Sequence, residues 1–432
     1  MDGELVGASS PVSPERFLPA GLLQPDYRWE IVDPEECARL LPTAHQALHL
    51  FRFQDTANGF SMSIATVAEP NSGKYSLGGL RIVPEADMRS RGFSADKVAL
   101  GLADGMEQKV FYSRLVPFEG LRISESLRRG EIVGGKVVVC PNREGWVGQA
   151  NDREFLDFVI KGLQTFEAEY GVTLVTGQDV GHGVLHSREG DDGIVTSLRY
   201  LNERFVGSRN TDTSFATAHG NIAVLSGLRD AFEIPIHQLR LGLCGFGAVG
   251  RRLIDGFRWK GVDVTGLHLA EYDEAKFPDA RTSLEDPDGI RVHPYSDRGI
   301  VAGEEIDGFV VNALRGSLTQ DVVRALCANT NVRFVTGCEN LPFPLEFADQ
   351  GERELMQSGT LWIPTEFTGM MGFITAVESV HAERLGDPFH VTDMKAPAKL
   401  LRPYVAELAR RYIESVVAGS PVSRFNKLLS TH

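Results

Sequence analysis

Apolar residues recur at the three- and four-residue spacing of a helix over 97–113 (KVALGLADGMEQKVFYS) and again over 153–170 (REFLDFVIKGLQTFEAEY). Between these stretches the pattern changes. VGGKVVVCP (133–141) is a β-branched run entered through Gly134-Gly135 and closed by Pro141, which predicts a buried strand. VTLVTG (172–177) predicts another, running into the glycine-flanked loop QDVGHG. A helix is predicted over 214–230, followed by a strand–helix–strand unit at 240–246, 247–260 and 262–273. IDGFVVNAL (306–314) and VRFVTG (332–337) continue as strands of one parallel sheet, and the tail, 394–417, reads as helical. Strands with intervening helices predict an α/β fold.

Composition narrows the class. A length of 432 residues suits two or three domains. With 42% hydrophobic and 24% charged residues the chain is expected to be globular rather than disordered, and no apolar run reaches the length of a membrane span. Lys+Arg 44 against Asp+Glu 58 leaves a net charge of -14, which argues against a nucleic-acid partner but leaves room for a local basic pocket. Cys37, Cys140, Cys244, Cys327 and Cys338 are an odd, scattered set without a C-x-x-C pair. A reducing cytoplasm is therefore expected, with neither a disulfide framework nor structural zinc. His182 and His186 are four apart but lack the Glu of H-E-x-x-H and a third ligand, so no metal is expected. MDGELVGASSPVSPERF has no apolar core and is expected to be a poorly ordered lead-in rather than a secretory signal.

Candidate chemistry begins with Gly245-Phe246-Gly247-Ala248-Val249-Gly250, a G-x-G-x-x-G turn leaving a strand and opening a helix. Its glycines allow a tight turn, close approach of a pyrophosphate and tight helix–strand packing, with the phosphates on the helix N-terminus. A carboxylate about 20 residues on is expected to accept ribose hydroxyls. Glu271 lies 21 residues past Gly250, and Asp273 lies 23 past it. The acids favour NAD over NADP, while Arg251 and Arg252 keep NADP open.

Upstream stand Leu77-Gly78-Gly79-Leu80-Arg81, Gly105-Met106-Glu107-Gln108-Lys109, Gly134-Gly135-Lys136 and Gln178-Asp179-Val180-Gly181. Downstream are Thr217-Ala218-His219-Gly220 and Gly337-Cys338-Glu339-Asn340. In this order, over about 75–375, the chain resembles the Glu/Leu/Phe/Val amino-acid dehydrogenase family, most closely its leucine and phenylalanine branch. The resemblance implies a substrate-binding and oligomerisation domain over 1–215 and an NAD-binding Rossmann domain over 216–375. Helices over 376–432 would return to the first domain. It also implies a homo-oligomer, and an amino acid, its 2-oxo acid and ammonia as partners. Lys109 would bind the substrate carboxylate, Lys136 would activate the attacking water, and Asp179 would shuttle the proton of the departing ammonia. Thr217, Asn312 and Asn340 would hold the nicotinamide end of the cofactor.

The sequence departs from the family pattern in places. Lys109 and Lys136 are 27 residues apart, with an extra segment at 116–131 that either caps the cleft or shifts the match. Gly369-Met370-Met371-Gly372 replaces an Asn-Ala-Gly-Gly stretch. Leu77 occupies the place of the lysine that compensates a glutamate side chain, and an uncompensated buried carboxylate is costly. An apolar or aromatic amino acid is therefore expected, lined by Leu77, Gly78, Gly79, Phe367 and Met370, although the methionine reads equally well as core filler. The alternatives are a Rossmann oxidoreductase acting on a carbonyl or imine without ammonia, and a nucleotide-binding homologue without turnover.

Overall fold

The computed structural model describes residues 24–83, 94–118, 120–141, 153–177, 186–189, 193–205, 208–209, 212–235, 238–259, 264–282, 289–313 and 315–429. The N-terminal lead-in, Asp179 and His182 lie outside them.

Two sheets organise the chain. The first comprises β1 (Tyr27–Ile31), β2 (His49–Asp55), β3 (Phe60–Thr66), β4 (Tyr75–Leu77), β5 (Leu80–Ile82), β6 (Ile132–Cys140), β7 (Thr173–Gly177) and, past a separate hairpin of β8 (His186–Glu189) and β9 (Gly193–Thr196), β10 (Ser208–Arg209). Its order is β1-β2-β3-β6-β4-β7-β10, with β5 also on β6. β1 to β3 are antiparallel neighbours and β3 runs antiparallel to β6, whereas β4, β5 and β7 join in parallel. All nine residues of β6 are buried, as its unbroken apolar run requires of a central strand.

Helix α1 (Ala95–Leu115) covers one face of this sheet and α3 (Arg153–Tyr170) the other, with the short α2 (Ile123–Arg129) between them in sequence. Side chains alternate along β6. Val137 and Val139 join the aromatic core of Phe155, Phe158 and Phe166 on α3, while Val138 and Cys140 join Ala99, Leu102 and Ala103 of α1.

After α4 (Thr213–Ala231) the second sheet begins: β11 (Leu239–Cys244), β12 (Val264–Glu271), β13 (Ile290–Pro294), β14 (Gly308–Val311), β15 (Phe334–Gly337) and β16 (Leu361–Trp362). Its order is β13-β12-β11-β14-β15-β16, parallel throughout. That is the 3-2-1-4-5-6 order of a doubly wound nucleotide-binding sheet. Helix α5 (Ala248–Trp259) follows β11, and α6 (Thr365–Thr368), α7 (Met370–Leu385), α8 (Leu401–Val417) and α9 (Asn426–Leu429) close the chain. The tail over 394–417 is helical as expected, in two pieces: a turn of helix ends at Ala398 and α8 starts at Leu401. Pro403 falls in the first turn of α8, where a missing N–H costs nothing. The antiparallel β1–β3 meander, which the sequence reading did not anticipate, extends the first sheet.

Candidate active site

β11 leads into the glycine turn and α5 opens at Ala248. Gly245 sits at φ +94, and a Cβ there would lie 2.7 Å from both the Ala313 nitrogen and the Asn312 carbonyl oxygen. At Gly250 a Cβ would come within 2.2 Å of the Gly245 oxygen, whereas at Gly247 it would meet nothing within 4 Å. Two glycines thus close the turn and the third leaves the start of α5 bare, as a pyrophosphate requires. Beside this turn runs the loop after β14, where the strand order reverses and open α/β sheets bind their ligands.

Glu271, at the end of β12, is buried, and its carboxylate accepts from the Phe246 N–H at 2.5 Å and the Asp273 N–H at 3.0 Å. Asp273 caps the following turn through the Ala275 N–H, and Lys276 Nζ lies 3.5 Å from each acid. Glu271 therefore ties the glycine turn to the end of the second strand, while Asp273 stays about half exposed.

Asn312 and Asn340, expected at the nicotinamide end, follow β14 and β15 respectively. Asn312 Oδ1 accepts from the Cys338 N–H at 2.9 Å, but among the described residues its buried Nδ2 has no hydrogen-bond partner. The buried Oδ1 of Asn221, on α4, also lacks one. Buried polar atoms are seldom left unpaired, so an orphaned donor and acceptor here fit a carboxamide or ribose hydroxyl. Thr217 Oγ1 donates to the Thr213 carbonyl at 2.8 Å, and a Cβ at Gly372 would come within 2.4 Å of that hydroxyl. The GMMG stretch therefore packs directly against the Thr217 helix.

Both expected lysines are buried, Lys109 with 8% and Lys136 with 4% of its surface exposed, and each has an interaction partner. Lys109 leaves α1 toward the second sheet and donates to Asn340 Oδ1 at 2.9 Å. Burial pushes the nearby Cys338 thiol up to about 12, against the opposing charge of Lys109. Lys136 is in phase with Val138 on β6 and so faces α1. Leu77-Gly78-Gly79 bridges β4 and β5 alongside it. A Cβ at Gly78 would overlap the Gly135 carbonyl at 1.6 Å, so these backbones meet as only glycine permits.

Some expectations need correction. Phe367 has no exposed surface and packs against the rings of Tyr112, Tyr404 and Phe425. Met370 is equally buried in the same apolar cluster. Both are core residues here, not the substrate-lining pair expected from sequence, because α6 and the start of α7 turn their apolar faces inward. Leu77 is buried beside Tyr75, Val175 and Val377. A cleft of about 440 Å³ opens instead along the outer face of α1, lined by Asp104, Gly105, Gln108, Tyr112, Leu341 and Glu366. Among the described residues, none of those expected in the site lines it.

Other residues matter that the pattern did not single out. Glu107, two positions before Lys109, accepts from the Gly134 N–H at 2.6 Å and pins α1 to the strand carrying Lys136. Burial raises its carboxyl, opposed by that hydrogen bond. Within the segment 116–131, Ile123–Arg129 form α2, and Arg122 Nη1 donates to Glu378 on α7 at 2.8 Å. The Ile123 N–H adds a bond to the same carboxylate at 3.0 Å. This segment docks on the C-terminal helices, which the sequence left open. Glu339 stood inside a motif already recognised, but its partners could not be read there.

No protein-family model and no curated protein matches the chain. Solved structures do. An L-tryptophan dehydrogenase from Nostoc punctiforme superposes with a TM-score of 0.56 at 16% identity, covering 91% of this chain and 95% of its own. The Plasmodium falciparum glutamate dehydrogenase gives 0.57 at 13%, covering 90% and 83%. A hetero-hexameric glutamate dehydrogenase from Thermus thermophilus, in its leucine-bound form, gives 0.55 at 14%, covering 94% and 86%. Over nine-tenths of its length the chain therefore has the fold of the amino-acid dehydrogenases.

Proposed function

We propose that the protein is an NAD-dependent dehydrogenase of an apolar or aromatic L-amino acid, interconverting it with its 2-oxo acid and ammonia. The observation that carries this reading is the pair of buried lysines. A buried ammonium is expensive unless a partner or a reaction requires it, and here one sits on α1 and the other on the strand β6 that α1 covers, with Lys109 reaching Asn340 at the end of the nucleotide sheet. Bound nicotinamide would supply the hydride acceptor. Lys109 holds the substrate α-carboxylate as a point charge, and Lys136 takes a proton from the water that attacks the imine carbon. Asp179 carries the proton to and from ammonia. Thr217, Asn312 and Asn340 orient the nicotinamide and its ribose against Cα, and Glu271 with Asp273 favours NAD over NADP.

The substrate domain spans 1–215, the nucleotide domain 216–375, and 376–432 returns to the first. Support for that return comes from Tyr112 on α1, whose hydroxyl donates to Asn426 on α9 at 2.9 Å. A cytoplasmic homo-oligomer fits the edge strand β1, which leaves Tyr27, Trp29 and Ile31 exposed on one side. Among the described residues no helix is long and apolar enough to cross a membrane.

The test is NADH oxidation with ammonium and a panel of 2-oxo acids. Ammonium-dependent turnover is expected, faster with apolar or aromatic 2-oxo acids than with 2-oxoglutarate. Turnover that ignores ammonium would make the protein a different oxidoreductase. Cofactor binding without turnover would make it a nucleotide-binding homologue.

A further inference from the structure

We propose that Glu339 is a positioning residue whose ionised carboxylate staples the loop after β14 to the loop after β15, holding Asn312 and Asn340 in register for a nicotinamide dinucleotide. The inference rests on the dinucleotide reading above.

The geometry is specific. Glu339 Oε1 accepts from the Ser317 N–H at 2.8 Å, and Oε2 accepts from the Ala313 N–H at 3.1 Å and the Ser317 hydroxyl at 2.5 Å. One buried carboxylate thus gathers three donors from the loop that starts at Asn312. From its own loop, the Cys338 N–H reaches back to Asn312 Oδ1, and the Gly316 N–H donates to the Leu341 carbonyl at 2.9 Å. The carboxylate thus adds three bonds to the contacts that already join the loops carrying Asn312 and Asn340.

An anion suits three donors; a protonated carboxyl does not. Its own O–H must find an acceptor, and the Ser317 hydroxyl would have to turn toward Tyr295, 2.9 Å away. Burial raises the Glu339 carboxyl to about 7, against the bonds from Ser317 and Ala313 and the charge of Arg298. The groups facing it are Tyr295, Arg298, Cys244 and, across Cys244, Glu271, with Lys109 beyond Cys338. Burial pushes the Tyr295 phenol and the Cys244 thiol up, so both stay neutral near pH 7. Glu339, raised to about 7, changes charge there.

The test is NADH binding to the full chain, followed by protein-to-NADH fluorescence transfer across pH. Affinity of the unaltered protein should weaken at least about fivefold as pH falls from about 8 to about 6. Glu339→Gln, which cannot ionise and turns an amide N–H toward a donor, should bind weakly at every pH with a flat profile. Ser317→Ala keeps the carboxylate but removes one donor, so the midpoint of the profile should move upward. A flat profile in the unaltered protein, or an unmoved midpoint in Ser317→Ala, would overturn the proposal. Glu339→Gln binding NADH with the original affinity and profile would do the same. Failure to bind NADH at any pH would overturn the dinucleotide reading itself, and this inference with it.

Discussion

Alanine at each glycine of the 245–250 turn should separate folding from binding. At Gly247 a Cβ enters open space, so Gly247→Ala should change unfolding free energy by no more than about 0.5 kcal/mol. That methyl occupies the approach to the bare N–H groups of α5, where the pyrophosphate must come close to the backbone, so NADH affinity should fall at least about tenfold. Gly250→Ala differs. Its Cβ would sit 2.2 Å from the Gly245 oxygen, and backbone cannot rotate aside as a side chain can. Overpacking of this kind costs about 1–3 kcal/mol. Gly245→Ala combines φ +94 with a 2.7 Å approach to Ala313 and Asn312, so strain of about 1–3 kcal/mol adds to the overlap. Urea unfolding and calorimetric titration with NADH, run on all three variants, give the answer. The expected pattern is stability kept and affinity lost for Gly247→Ala, with stability lost for the other two. Gly247→Ala that binds NADH like the unaltered protein would refute the cradle, and so would Gly247→Ala that unfolds as easily as Gly250→Ala.

Further outcomes follow from buried groups. Glu339 titrates higher folded, at about 7, than its ordinary 4.5, so its contribution to stability is fully present below pH 4.5 and is lost as pH rises through 7. The loss amounts to about 3 kcal/mol, and urea midpoints across pH should show it in the unaltered protein and not in Glu339→Gln. Glu378→Ala strands the Ile123 N–H and loosens Arg122, which is about one-third exposed, and should cost about 2–3 kcal/mol in the same assay. A loss under about 1 kcal/mol would show that the 116–131 segment is not held there. Phe367→Ala should cost about 3–5 kcal/mol as a core deletion, and a change in substrate preference without that loss would restore Phe367 to the substrate pocket. Lys136→Ala should abolish turnover while NADH still binds, and retained turnover would remove it from the mechanism.

What the amino-acid order determined by itself was local. Gly245-x-Gly247-x-x-Gly250 announces its turn because strand, bend and helix start lie within a dozen residues; Gly245 and Gly250 answer a neighbour's backbone and Gly247 faces open space. The β6 run and the periodic helices α1 and α3 were legible for the same reason: burial on one face or both imprints a period on the residues themselves. Tertiary structure decided the rest. Glu107 meets Gly134 across 27 residues, Glu339 meets Ala313 across 26, and Glu378 meets Ile123 across 255. A carboxylate carries no mark of whether its partner will be water or a buried N–H. Phe367 and Met370 pose the same problem, since an apolar side chain looks alike whether it faces a substrate or a ring. Periodicity reports that a face is buried; only the packed chain decides against what.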